Sequence, residues 1–163
     1  VRRIRADEIE LLRRLRLTAL ADAPEAFSSE HETERQFPRS TWEQRSIDGA
    51  RSDHLAMFVA MAEADACGMS LGRLLDGVPG VVELNSMWVA PPQRRTGVAV
   101  ALVDAVVEWA QSIDAVAAEL WVIRENERAA AFYARYGFVE MVGFASQPDD
   151  PCGLERRLRL DFD

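Results

Sequence analysis

The 163 residues carry 19 basic and 27 acidic side chains, for a net charge of −8, with 48% hydrophobic and 28% charged residues. That length suits one domain over residues 1–163, a core able to stand without disulfides or a structural metal, and a folded rather than a disordered chain. The negative charge disfavours nucleic acid and anionic membranes as partners, and the lack of any lysine excludes Schiff-base chemistry and the lysine-containing phosphate loop.

Val1–Ile4 reads as the remnant of a first strand. Ile9, Leu12, Leu15, Thr18 and Ala19 share one helical face, which predicts a helix over Glu8–Ala21, stopped by Asp22-Ala23-Pro24. Residues 25–36 are polar and acidic, with Phe27 as an apolar anchor. A second short helix is expected over Thr41–Ala50, capped by Ser40 or Thr41. Alternating apolar residues then predict strands at His54–Ala62, Cys67–Leu75 and Val81–Val89, joined by turns at 63–66 and 76–80. A helix over Gly97–Ser112, a strand over Ala115–Ile123 and a helix over Asn126–Tyr136 follow, then strands near Phe138–Ala145 and Leu154–Leu160. Meandering strands followed by β-α-β-α-β make an α+β (mixed α/β) domain.

His31 and His54 have no neighbours at metal-ligand spacing, so no metal site is expected. Cys67 and Cys152 lie far apart with no signal peptide ahead of them, which points to free thiols in the cytoplasm. No apolar run approaches the roughly 20 residues that span a bilayer. The chain opens on Val1 rather than Met, which implies that a few residues precede it.

The informative segment runs from Met87-Trp88-Val89 through Ala90-Pro91-Pro92 to Gln93-Arg94-Arg95-Thr96-Gly97-Val98-Ala99-Val100. A strand ends, an Arg- and Gly-bearing turn follows, and a long helix begins. The free N–H groups and dipole of such a helix start attract anions. Gly97 allows close approach to the backbone, and Arg94 and Arg95 add charge. These features point to phosphate or pyrophosphate; an ordinary strand-turn-helix is the plainer alternative. In a second segment, Asn126 stands as a helix N-cap and Gly137 as the residue after the helix end, with Phe132, Tyr133 and Tyr136 between them.

Together the two segments resemble the GNAT superfamily of acyl-CoA-dependent N-acetyltransferases. Ala19-Leu20-Ala21-Asp22-Ala23-Pro24-Glu25-Ala26-Phe27 is also similar to a phrase of uncharacterised bacterial members. The resemblance implies a central, mostly antiparallel sheet of six to seven strands flanked by about four helices. It implies acetyl-CoA as cosubstrate, its pyrophosphate on the turn from Arg94 to Val100. The pantetheine arm is then expected beside Met87-Trp88-Val89 and held by Asn126. The Val89 N–H is the implied donor to the thioester oxygen, and Tyr133 the implied acid for the departing thiolate. The acceptor is implied to be a primary amine, of a small molecule or peptide, which arrives protonated near pH 7 and needs a base. Glu83 is the first candidate and Ser86 could position a water instead. On a regular strand Glu83 and Asn85 share a face with Met87, a parity that the family's usual bulge would break. Glu25, Glu30, Glu32, Glu34, Asp149 and Asp150 lie in regions that build the family's acceptor pocket, which suggests a cationic amine. Small members are often dimers, which leaves a homodimer open.

The sequence departs from the family pattern at Arg95 and Ala99, where Gly is usual. Arg95 fits without strain only if its φ is negative. A non-catalytic acyl-CoA-binding or sensory module on the same fold is the main alternative. A Rossmann-type domain is disfavoured because no G-x-G-x-x-G follows the first strand, and a serine hydrolase because there is no G-x-S-x-G elbow.

Overall fold

The computed structural model describes residues 1–141 and 155–162. Seven strands form one sheet in the order β1-β2-β3-β4-β5-β7-β6: Arg2–Arg3, Leu55–Ala62, Asp65–Leu74, Val81–Val89, Ala117–Ile123, Val139–Glu140 and Glu155–Asp161 for β1 to β7. Every pairing is antiparallel except β4 with β5. Among the described residues five helices flank it, in keeping with the expected number of about four: α1 Ile9–Asp22, α2 His31–Arg35, α3 Arg39–Arg51, α4 Val98–Ser112 and α5 Glu127–Tyr136.

The strand alternation sorts side chains between two cores. Met57, Val59, Met69 and Trp88 pack with Leu12, Leu15 and Ala19 of α1 and with Trp42 of α3. Ala56, Phe58, Val82, Leu84 and Leu120 pack on the other face with Leu102, Val106 and Trp109 of α4 and with Tyr133 of α5. Gly72 in β3 lets α4 sit close: a Cβ there would lie 2.7 Å from the Trp109 ring. Tyr136 joins the two helices on this face by donating from its hydroxyl to Asp104 at 2.6 Å.

Several expectations need correction. The second long helix begins at Arg39 behind Pro38, with no side-chain cap, rather than at Thr41 behind Ser40. The polar stretch 25–36 contains α2, whose five residues are too few to show a period. The turn after β2 is shorter than 63–66, because Ala62 pairs with Asp65 across Glu63, whose φ is +54°. The strand expected near Phe138–Ala145 is seen at Val139–Glu140; residues 142–154, with Asp149, Asp150 and Cys152, lie outside the described residues.

Candidate active site

Strands β4 and β5 pair only at Val81–Ala117, Val82–Ala118 and Glu83–Glu119. Beyond that point β4 runs on to Val89 beside β3, while β5 runs on to Ile123 beside β7. The sheet therefore opens as a wedge with Glu83 and Glu119 at its apex.

A bulge shapes the β4 wall. The register with β3 shifts between Leu71↔Asn85 and Met69↔Trp88, and Ser86 takes φ +53°. One extra residue reverses the side-chain alternation. Glu83 accordingly shares the α1 and α3 face with Trp88, while Met87 and Val89 pack on the α4 face, so the regular-strand parity of Glu83 with Met87 does not hold. Past the bulge, the Ala90 N–H donates to the Cys67 carbonyl at 2.8 Å. Bonding alternates along an antiparallel ladder, so the Val89 N–H turns away from β3, into the wedge.

The turn after β4 is built for an anion. Gly97 sits at the N-cap of α4 with φ +93° and no side-chain cap. Among the described residues, no backbone or side-chain acceptor takes up the N–H groups of Arg95, Thr96, Gly97, Val98, Ala99 and Val100, and the first helical bond is Ala101 N–H to the Gly97 carbonyl. A Cβ on Gly97 would meet nothing within 4 Å, so the space before these donors is open. Val100 is exposed beside it. Arg95 has φ +69°, not the negative value that would free it of strain. The Thr96 hydroxyl closes the turn on the Gln93 carbonyl at 2.7 Å. The Arg94 guanidinium points back: its Nε donates to the Val89 carbonyl at 2.9 Å and its Nη2 pairs with Asp22. Asp22, the last residue of α1, also accepts from the Trp88 indole at 2.9 Å.

On α5, the Asn126 side chain accepts from Ala129 N–H at 3.1 Å, which leaves its amide donors available. Tyr133 is buried between Phe132 and Phe138, at ring separations of 5.0 and 5.6 Å. Its hydroxyl makes no hydrogen bond among the described residues, and burial pushes the phenol above its ordinary pKa. The Glu83 carboxylate, buried at the apex, accepts from Arg73 at 2.7 Å and from Asn85 at 3.1 Å. Glu119 opposite it is clasped by Arg157 and Arg159. The signal for Glu119 was present in the sequence as the one charged residue of an otherwise apolar strand.

The acidic residues do not act as one group. Glu34 is fully buried and bridges Arg16 of α1 and Arg45 of α3, both at 2.8 Å. Arg16 stacks on Phe27 and reaches the Ser86 hydroxyl at 3.3 Å. Glu32 pairs with Arg35 on the surface at 2.8 Å. Neither carboxylate is left over for an incoming cation. Among the described residues, no three His, Cys, Asp or Glu side chains gather as a metal site, and no helix is long and apolar enough to cross a membrane.

Known proteins share this fold. An uncharacterized N-acetyltransferase of Methanocaldococcus jannaschii is 38% identical over 60 residues, 37% of this chain and 26% of that protein, so the match spans about a quarter of the relative's length. The PaiA N-acetyltransferase of Thermoplasma acidophilum, solved in complex with coenzyme A, superposes with a TM-score of 0.72 at 15% identity, covering 99% of this chain and 97% of that one. The structure of AAC(6')-Iy with the bisubstrate analog CoA-S-monomethyl-acetylneamine gives 0.68 at 25% identity, over 90% and 95% of the two chains. The model of the acetyltransferase (GNAT) family matches residues 16–138, most of the length, and the chain belongs to that family.

Proposed function

We propose that residues 1–163 form one N-acetyltransferase domain that moves an acetyl group from acetyl-CoA to a primary amine by direct attack in a ternary complex. The observation that carries this reading is the row of unpaired N–H groups from Arg95 to Val100, set beside a wedge into which Val89 aims its own N–H. Those donors suit a pyrophosphate. The gap between β4 and β5 suits an extended arm bonded to the free edge of β4 along Met87, Trp88 and Val89, with the Asn126 amide as a further donor. When bound, acetyl-CoA supplies the activated acyl group; the rest is the work of this chain.

The Val89 N–H stabilises charge developing on the thioester oxygen, a contribution of about 3 kcal/mol where such donors have been removed in other enzymes. Tyr133 keeps its proton at neutral pH and donates it toward the departing sulfur. Glu83 lies at the apex of the wedge, and its bonds to Arg73 and Asn85 favour removal of the amine proton through water rather than by direct contact. Ser86, on the bulge, can hold that water. For the acceptor, AAC(6')-Iy was captured with an acetylneamine analog, and exposed Glu25 and Glu30 support a cationic amine here. Glu32 and Glu34 add no support, being neutralised by arginine.

Calorimetric titration with acetyl-CoA, with CoA and NAD as controls, tests the reading. Micromolar binding of both CoA species and none of NAD is expected, and thiol release across a panel of amines then finds the acceptor. Absence of CoA binding would overturn the proposal. Binding with no thiol release, unaffected by Tyr133→Phe, would favour an acyl-CoA-binding module.

A further inference from the structure

Asp22 gathers three parts of the site. It is the last residue of α1, yet it accepts from the Trp88 indole at 2.9 Å and pairs with Arg94 of the anion-binding turn. Arg94 in turn donates from Nε to the Val89 carbonyl at 2.9 Å. The peptide between Trp88 and Val89 is thus held on both sides. The indole of Trp88, buried and anchored on Asp22, fixes the residue before it. The guanidinium of Arg94, anchored on the same carboxylate, fixes the carbonyl after it. This is the peptide whose N–H enters the wedge. On its inner edge β3 pairs with it at Met69↔Trp88 and Gly68↔Val89, but no strand lies on its outer edge, because β5 has already parted from β4.

We propose that Asp22 is a positioning residue: through Trp88 and Arg94 it holds the outer edge of β4 and so refines the aim of the Val89 N–H that the β3 pairing turns into the wedge. The inference rests on the proposed acyl transfer and adds to it a reason for the arginine at the head of the turn. The side chain of Arg94 serves the thioester end of the site, while the backbone that follows it serves the phosphate end. Donor direction matters here because a hydrogen bond weakens steeply as its angle departs from linearity, and a small misplacement can cost on the order of 100-fold in rate.

The test needs no acceptor amine. Acetyl-CoA labelled with 13C at the thioester carbonyl is bound to the wild type and to Asp22→Ala, Asp22→Asn and Trp88→Phe, and the carbonyl stretch is read by difference infrared spectroscopy. A hydrogen bond from Val89 shifts that band to lower wavenumber. We expect the full shift in the wild type, an intermediate shift in Asp22→Asn, and the smallest shift in Asp22→Ala, where the β3 pairing alone still turns the N–H into the wedge. Trp88→Phe deletes one arm and keeps the ring, so its band should move partway. CoA without the acetyl group should bind the wild type and the two Asp22 variants within roughly threefold by calorimetry, since the turn N–H groups are untouched. A band in Asp22→Ala and Trp88→Phe identical to the wild type overturns the proposal while leaving the acyl-transfer reading intact. A wild type that binds acetyl-CoA without a shift, or does not bind it, overturns both.

Discussion

Leu84 and Val89 lie on the same face of the sheet although an odd number of positions separates them. The reversal comes from the bulge at Ser86, and it has two effects. It returns Trp88 to the α1 side, where Asp22 meets it, and it lets the strand leave β5 without losing β3.

Ser86 pays for the bulge with φ +53°. A β-branched side chain tolerates that region poorly. Ser86→Val should lose about 1–3 kcal/mol of stability, read as a fall in Tm, whereas Ser86→Gly should hold its Tm within a degree or two. Equal melting of the two variants would mean that the bulge is not a constraint.

The turn offers a paired comparison. Arg95 is held at φ +69°, so Arg95→Gly exchanges left-handed strain of about 1–2 kcal/mol for an unfolded-state cost of about 0.5–1 kcal/mol, and stability should rise slightly. Gly97→Ala runs the other way. At φ +93° the methyl adds strain, and it occupies the open space in front of the free N–H groups. Calorimetry should show CoA binding weakened roughly tenfold or more, a loss of about 1.4 kcal/mol, with Arg95→Gly binding at least as well as the wild type.

Tyr133→Phe should reduce turnover by about 100-fold if the phenol is the acid, with CoA affinity unchanged. Stability should change little, because the hydroxyl has no protein partner to lose among the described residues. The pH profile is a second check. A phenol loses its proton as pH rises through its pKa, and burial raises that pKa above the usual value of about 10. The rate should therefore show no alkaline fall attributable to this residue up to about pH 10.

Burial raises the Glu34 pKa, but hydrogen bonds and charge from Arg16 and then Arg45 outweigh it, so the carboxyl lies below its ordinary range. A depressed folded-state value stabilises the protein above the unfolded carboxylate pKa of about 4.3, and that stability is lost as pH falls through the folded value. Glu34→Gln should cost about 3 kcal/mol at pH 7 by leaving Arg16 without its counter-charge. It should also flatten the acid limb of a Tm-against-pH series between pH 5 and pH 3. A variant with the wild-type acid slope would show that the triad is not what acid disrupts.

Much of this molecule was legible from period and punctuation. The alternation in 55–62 and 81–89, the apolar stripe of α4 and the Asn126 cap all encode local geometry that the sheet then keeps. What could not be read depends on contacts distant in sequence. Glu34 was read with its acidic neighbours as part of an acceptor pocket for a cationic amine; only the packing of α1 against α3 places arginines on both sides of it. Asp22 looked like a helix stop, and its link to Trp88 spans 66 positions. A single-residue bulge leaves no period of its own, so the break in the Glu83–Met87 parity at Ser86 could be expected only through the family resemblance, not from the strand's own pattern. Arg95 shows the limit of residue-type rules: a side chain unsuited to positive φ occupies it because Gly97 and the start of α4 dictate the path.

The short contact between β4 and β5 also bears on how the protein breathes. Three residue pairs join the strands β1–β4 to β5–β7, so the sheet carries a seam where backbone amides face solvent instead of a neighbour. Deuterium should enter first along that seam and late in the centre of β3, whose two neighbours are paired along most of its length. A ligand strand laid in the wedge would close the seam and protect the same amides, so exchange before and after saturation would trace where a bound molecule lies without a crystal.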